Sequence, residues 1–437
     1  MRLSAIGDCG NDTTSSITGP VGSYATPVPL ARAPFRVVWG MALAQFGLFV
    51  ALLAPVTVSL ALKTQTLVAG DRAAVVNGKV LAVAAFFALV ANPVFGRFSD
   101  LTTARFGRRR TWMAIGTVLF VAAQALVAVA PSVSVLAVAW CLAQIAGNAI
   151  LAPLLATIAD QVPHEQRGTV SANVGVMQNV GILGGAYLAS LFVTNMLALF
   201  LVPSAVAAVL VGLYCAVLPD RPIAERPETG GWLALLRTFW VNPLHHRDFA
   251  WAWISRFLVT LASFLFVTYR IFFLQKQVGL TAAEAARALT IGVLLYTIAL
   301  VITAKIGGWL SDRVDRRKVF VITSTLIGGI GLVLLANTHT LPVFYSVEVV
   351  MGIGYGVYAA VDTALVIDVL PNPEDSAKDL GVLNIANALP QSLAPLVGVI
   401  LLGLGGAAGA NYPAMFIGAG VIALVGALAI VPIKKVR

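Results

Sequence analysis

The chain has 437 residues, of which 11% are charged and 59% hydrophobic, with a mean hydropathy of +0.90. Against roughly 25% charge in an ordinary soluble domain, that excludes a water-soluble globule and assigns the chain to a bilayer. The net charge of +10 lies in short clusters between apolar runs with no soluble basic domain to grip a duplex, which argues against nucleic acid and for membrane topology.

Residues 1–34 form a polar tail with no apolar core, read as disordered and cytoplasmic, with no secretory signal peptide. Beyond it, apolar runs bounded by charged or Pro/Gly breaks predict twelve helices, at 35–62, 78–98, 111–130, 134–160, 169–193, 197–217, 249–273, 287–309, 319–336, 341–367, 379–403 and 412–433. The runs are continuous and do not alternate with period two, so a porin-like barrel is excluded. Residues 219–247 are the longest internal polar stretch. They divide an N-terminal bundle, 35–218, from a C-terminal bundle, 248–433, and residues 434–437 close the chain. The fold class is therefore an all-α membrane protein of twelve transmembrane helices in two six-helix bundles.

Positive charge assigns the sides. Arg97, Arg105, Arg108, Arg109 and Arg110 follow the second segment, Arg313, Arg316, Arg317 and Lys318 follow the eighth, and Lys434, Lys435 and Arg437 end the chain, whereas loops 131–133 and 194–196 carry no Lys or Arg. Both termini and the central loop are thus expected in the cytoplasm. Lys63, Arg72, Lys276 and Arg287 run against this trend and are fewer. Cys9, Cys141 and Cys215 lack metal-ligand spacing, and His164, His245, His246 and His339 fall in or beside loops. No metal site, nucleotide motif or nucleophile constellation is evident, so the sequence predicts neither an enzyme nor a cofactor.

The two halves repeat. "FGRFSDLTTARFGRRRTW" at 95–112 and "GGWLSDRVDRRKVF" at 307–320 share glycine, serine-aspartate and a basic cluster, with Asp100 and Asp312 212 residues apart. "ATIADQVPHEQRG" and "ALVIDVLPNPEDSAKDLG" repeat at nearly the same offset, Asp160 and Asp368 being 208 apart. Parallel six-helix repeats suit two bundles that rock about a site between them.

These motifs resemble the cytoplasmic loop signature of the major facilitator superfamily, in both loops where that family carries it, and the resemblance covers residues 35–433. It implies the two pseudo-symmetric bundles of the major facilitator fold and a gating role for Gly96, Asp100, Arg105, Gly107, Arg108, Arg109, Gly308, Asp312, Arg313, Arg316 and Arg317. Glycines there let helices cross closely, and each aspartate is expected where a helix of the other half begins, as a latch released when the cytoplasmic side opens. "NPVFGRFSDLTTARFGRRRTW", "LLATIADQVPHEQRGTVSANVGVMQNVGILGG" and "KDLGVLNIANALPQSLAP" are further similar to the glycoside-pentoside-hexuronide symporters and the plant sucrose transporter type, which implies a sugar or glycoside substrate. One departure matters. Sodium-coupled melibiose permeases carry aspartates where this chain has Asn92 and Ala88, so a hard-oxygen sodium site is short of ligands and the proton becomes the expected coupling ion.

Ionisable groups inside spans are costly and are functional candidates. Segment seven carries Arg256 and Arg270, segment ten Glu348 and Asp362, each pair 14 residues apart, which is about 21 Å of rise and nearly the same helix face. Antiparallel packing would let Arg256 meet Asp362 while Arg270 meets Glu348. One of the carboxylates is expected to take up the coupling proton, its arginine partnering the carboxylate until substrate or proton intervenes.

Polar and aromatic side chains able to bind sugar hydroxyls and faces are Gln45, Gln144, Asn148, Asn173, Gln178, Tyr269, Tyr355, Tyr358, Asn384, Asn387 and Gln391. The sequence thus reads as a monomeric plasma-membrane transporter whose partners are a small-molecule substrate and the lipid bilayer, working by proton-coupled symport and alternating access. Two alternatives are a proton-coupled drug or metabolite exporter, weakened because "NVGILGGAYL" has Gly181, Gly184 and Gly185 but no proline, and a non-transporting membrane sensor.

Overall fold

The computed structural model describes residues 33–70, 72–220, 246–314, 316–369, 376–404 and 411–434. Twelve helical spans are seen among them. The first half holds α1 (Phe35–Leu67), α2 (Arg72–Leu101), α3 (Arg108–Val129), α4 (Val133–Gln161), α5 (His164–Leu191) and α6 (Met196–Val217). The second holds α7 (Arg247–Lys276), α8 (Ala282–Val314), α9 (Arg317–Ala336), α10 (Leu341–Asp368), α11 (Ser376–Leu402) and α12 (Tyr412–Leu428). Eleven are long and apolar enough to cross a bilayer, and α12 is a shorter apolar helix of 17 residues. Most of the tail expected at 1–34 and of the loop expected at 219–247 lies outside the described residues.

Helices are the form such apolar segments must take, because hydrocarbon offers no partner for a bare N–H or C=O. Their starts carry local signals. Ser132, Asn195 and Asn411 accept hydrogen bonds from Val135 N, Ala198 N and Ala414 N. Thr281 and Glu284 form a reciprocal capping box at the head of α8, with Glu284 Oε2 accepting from Thr281 N at 2.9 Å and Thr281 Oγ1 from Glu284 N at 3.3 Å.

Several spans differ from their expected limits. α2 begins at Arg72, not 78, because Asn77 and Gly78 continue the helix while buried against neighbours. α1 runs on to Leu67 through a π-helical turn at Pro55–Ser59. α8 is longer than expected at both ends, and α12 stops at Leu428, where turns replace the helix.

The packing repeats from one half to the other. α1 packs on α5 and α6, as α7 does on α11 and α12. The pairs α2–α4, α3–α4 and α3–α6 recur as α8–α10, α9–α10 and α9–α12, and the halves meet through α2–α11 and α5–α8. Glycines permit the tightest crossing in the first half. A Cβ at Gly181 or Gly185 would stand 2.7 Å from Phe46 O or Val50 O, so these glycines of α5 serve its contact with α1.

Contact between the halves lies at the end where α1 and α7 finish. Gln65 Nε2 donates to Gln275 Oε1 at 2.6 Å, Thr290 Oγ1 to Ala186 O at 3.1 Å, and, at mid-depth, Ser392 Oγ to Ala85 O at 3.0 Å. One large core runs through the first half and joins the second at that end. The end of the second half that bears the arginine-rich loop has a separate core around Phe249, Val321, Val361 and Ile433. Toward the arginine-rich loops, Gly96, Gly168 and Gly175 face open space. Among the described residues, the side-chain hydrogen bonds between the halves lie at mid-depth or on the side away from those loops.

Candidate functional site

The two halves bury different chemistry. The first half offers amides. Gln45, almost fully buried, donates from Nε2 to Gln178 Oε1 at 3.3 Å, while its own Oε1 is buried without a partner. Asn92 Nδ2 donates to Asn148 Oδ1 at 2.9 Å, and Asn148 Nδ2 donates to Gln144 O one turn back at 2.9 Å. This second chain ties α2 to α4 with neutral groups only.

The second half offers charge. Arg270 Nη1 donates to both oxygens of Glu348, at 2.9 and 3.0 Å, with the arginine 3% and the glutamate 0% exposed. The guanidinium lies over the Phe266 ring, 4.5 Å from its centroid. α8 presents Gly292 to Glu348, where a Cβ would come within 3.0 Å of the glutamate Cγ. Fourteen residues nearer the arginine-rich loops, Arg256 Nε donates to Asp362 Oδ2 at 2.6 Å, and Nη2 pairs with the same oxygen. Both expected pairs are therefore present together, as equal spacing on antiparallel helices requires.

Three tyrosines join them. The rings of Tyr296 and Tyr355 are 6.4 Å apart and those of Tyr355 and Tyr358 6.0 Å apart. Tyr296 stands within electrostatic reach of Arg270 and Glu348, and Tyr355 and Tyr358 within that of Arg256 and Asp362. The ladder thus runs from one ion pair to the other. Tyr296 was not legible as part of it, because its place depends on how α8 rotates against α10.

The remaining candidates divide. Asn173 and Gln391 are exposed on α5 and α11, Asn387 is half-buried, and Asn384 lies on α11 with its side chain outside the described residues. Tyr269 corrects the sequence reading. Its ring is fully buried and its hydroxyl donates to Pro395 O at 2.7 Å, with Gly78 and Gly398 leaving room for it, so it seals the contact of α7 with α2 and α11 and does not face the opening.

At the arginine-rich face the first loop motif is knotted within its own half. Arg109 Nη2 meets Asp100 Oδ1 at 2.6 Å, its Nε meets Asp160 Oδ2 at 2.8 Å, and its Nη1 donates to Ser99 Oγ at 2.5 Å, while Arg108 Nη2 reaches Asp160 Oδ1 at 2.8 Å. Asp220, beyond α6, accepts from the backbone N–H of Arg109 and Arg110 at 2.7 and 2.9 Å and so caps α3. Gly107 has φ +108°, and a Cβ there would meet the Asp220 carboxyl carbon at 2.7 Å. Asp100, expected against a helix of the other half, is paired with Arg109 of its own, and Gly96 makes no close crossing among the described residues. Arg105 is exposed.

In the second motif Arg313 lies over Trp309, 5.4 Å from the ring centroid, Arg317 Nη1 donates to Ala364 O at 3.2 Å, and Arg316 precedes α9. The close approach belongs to Gly307, where a Cβ would come within 3.0 Å of Val357, more than to Gly308. Asp312 lies on α8 with its side chain outside the described residues. The sequence reading missed Ser99 and Asp220 as parts of this knot. The serine directly before Asp100 was the available signal for one, and the other joins positions 111 residues apart.

Comparison with known proteins accords with this geometry. The family description Major Facilitator Superfamily matches residues 37–306 and 288–436. Over 111 residues, 25% of this chain and 21% of the relative, the chain is 33% identical to the uncharacterized MFS-type transporter YfiU of Bacillus subtilis. Over 383 residues it is 25% identical to a triacylglyceride transporter of Mycolicibacterium smegmatis, covering 73% of this chain and 66% of that one. The chain thus spans about a fifth and just under two thirds of these relatives. Among solved structures, the nucleoside transporter NupG superposes with a TM-score of 0.70 at 16% identity, covering 92% of this chain and all of the other, and a D-xylose-proton symporter with 0.67 at 14%, covering 91% and 97%. A bacterial homologue of the lysosomal transporter Spinster, in an inward-facing and unoccupied conformation, gives 0.64 at 14%, covering 92% and 96%. With both repeats matched by one family description and the same two-bundle fold in these structures, the chain belongs to the major facilitator superfamily, whose members are transporters and not enzymes.

Proposed function

We propose that this chain is a secondary active transporter of the plasma membrane that carries a small neutral polar solute, a sugar or glycoside first, in symport with protons by alternating access. The observation that carries the reading is the division of labour across the opening: uncharged amides on α1, α2, α4 and α5 face a half that holds two carboxylates, each closed on an arginine. Amides present paired donors and acceptors to hydroxyl groups, while a carboxylate that can exchange an arginine for a proton couples charge movement to conformation. The loop sequences support placement in the glycoside-pentoside-hexuronide and sucrose-transporter branch. That the D-xylose-proton symporter and NupG share the fold supports a neutral, hydroxyl-bearing solute. The positive-inside pattern supports cytoplasmic termini, with the arginine-rich face turned to the cytoplasm, and we take the chain to work as a monomer.

The test is a panel of sugars, glycosides, polyols and nucleosides offered to the purified protein in liposomes under an imposed pH gradient. Accumulation driven by outside acid, abolished by a protonophore, is expected for at least one neutral solute. If no solute on the panel moves with protons in the inward direction, the reading fails. A second reading, export by proton exchange, draws on the likeness to a triacylglyceride transporter over 73% of the chain. The same liposomes separate it, since exchange reverses the sign of the gradient that drives accumulation.

A further inference from the structure

A cleft of about 380 Å³ opens between α3 and α6 on the outer surface of the first half, away from the space between the bundles. Its walls are apolar or small: Ala114, Val211, Gly212 and Ala216 form the groove, with Thr117 at one end and Phe106 and Arg110 at the other. Val118, Leu119, Val209 and Leu213 beside it are among the most exposed apolar residues of these helices, so this surface faces lipid. Arg110 is the third residue of α3, at the edge of the bilayer. Thr117, seven residues on, lies about 10 Å deeper. The cleft therefore runs from headgroup depth into the acyl region.

Arg110 is only partly satisfied. Its Nη2 donates to Leu218 O, its backbone N–H is taken by Asp220, and its Nε is buried with no hydrogen-bond partner. The Phe106 ring stands 6.0 Å from the guanidinium carbon on the side of the cleft. In the second half, Lys318 closes the end of α12 by donating to Val431 O and Ile433 O at 2.5 and 3.0 Å, the same carbonyl-capping task that Arg110 performs for α6. An ammonium would suffice for that task. A guanidinium with a buried donor left over, at the mouth of an empty apolar groove, has a second use.

We propose that this cleft binds one anionic glycerophospholipid, its phosphate held by Arg110 at the mouth, and one acyl chain laid along Ala114, Thr117, Gly212 and Ala216. At about 30 Å³ for each group of water's size, 380 Å³ holds on the order of a dozen such groups, the scale of most of one acyl chain. Charge selects the headgroup: the guanidinium carries a full positive charge to the phosphate, and Asp220 is committed to the N–H groups that open α3. A zwitterionic headgroup would bring its own cation beside Arg110 and bind less well.

The full chain is reconstituted in nanodiscs of mixed phosphatidylglycerol and phosphatidylethanolamine, released, and weighed by native mass spectrometry, with thermal unfolding in detergent as the second readout. Wild-type protein is expected to retain one phosphatidylglycerol in preference to phosphatidylethanolamine and to gain thermal stability from added phosphatidylglycerol. Gly212→Leu fills the groove, and nothing stands within 4 Å of a Cβ there, so the backbone accepts the side chain. It should retain at least fivefold less. Arg110→Gln should lose the preference between the two lipids, whereas Arg110→Lys, which keeps the charge and the Leu218 cap, should preserve part of it. Equal retention in Gly212→Leu and wild type, or equal retention of both lipids by wild type, overturns the assignment. So does a stability gain from inorganic phosphate alone that matches the lipid's, because the acyl groove would then contribute nothing.

Discussion

Glu348→Gln removes one charge from the most deeply enclosed pair in the molecule while keeping the side chain's shape. In the native protein Arg270 Nη1 reaches both glutamate oxygens at 2.9 and 3.0 Å, and Arg270 Nε is already buried without a partner. After the substitution the guanidinium keeps only a neutral amide oxygen and the face of Phe266. Leaving a buried charge uncompensated costs about 3–5 kcal/mol. The retained amide hydrogen bond returns about 1 kcal/mol, and the ring contact exists in both forms and so offsets nothing. The net loss is about 2–4 kcal/mol, or a fall in unfolding temperature of about 2–4 °C for a chain of this length. The double variant Arg270→Gln/Glu348→Gln restores hydrogen-bonded neutrality and should recover most of that stability. Proton-driven accumulation should stay lost in both. Thermal unfolding and flux are measured on the same preparations. Recovery of accumulation in the double variant would show the pair to be a brace alone, and an unfolding temperature unchanged in the single variant would refute the energetic argument.

Tyr269→Phe should lower stability by about 1 kcal/mol through the lost bond to Pro395 O and leave the solute KM unchanged, since the ring is sealed between helices; a large KM change in the transport assay would return it to the binding site. Gly107→Ala combines about 1–3 kcal/mol of backbone strain with displacement of the Asp220 cap, and should therefore lower the unfolding temperature by more than alanine at exposed Gly168. Gln65→Ala removes a contact between the halves on the closed side, worth about 1 kcal/mol, and should shift the population about fivefold toward opening there. The alkylation rate of a cysteine placed at Ala186 checks it.

The twelve spans and the duplication were legible because hydropathy and charge clustering are one-dimensional signals, and lipid leaves the backbone no alternative to helix. The ion pairs were legible for a related reason: two charges 14 residues apart on each of two antiparallel helices can be matched without knowing anything else. Helix ends were less so, since Asn77 and Gly78 look like a break until Thr64 and Tyr269 are seen beside them. Within the candidate site, polarity identified Gln45, Gln144, Asn148 and Gln178 but could not tell Tyr269, turned into a seam, from Tyr355 and Tyr358, turned toward Arg256. Nor could it join Asp220 to the head of α3 or Gln65 to Gln275. Those contacts depend on which faces two distant helices turn to one another, and composition does not carry rotation about a helix axis.

The helix pairs that join the halves are copies of each other, α2 against α11 and α8 against α5, so the seam has the self-complementary character of a homodimer interface. The only covalent tie across it is the stretch through residues 221–245, and each bundle contains its own set of helix–helix contacts. Fragments produced separately, one ending and the other beginning within that stretch, carry everything the seam requires and should reassemble in the membrane into a working whole.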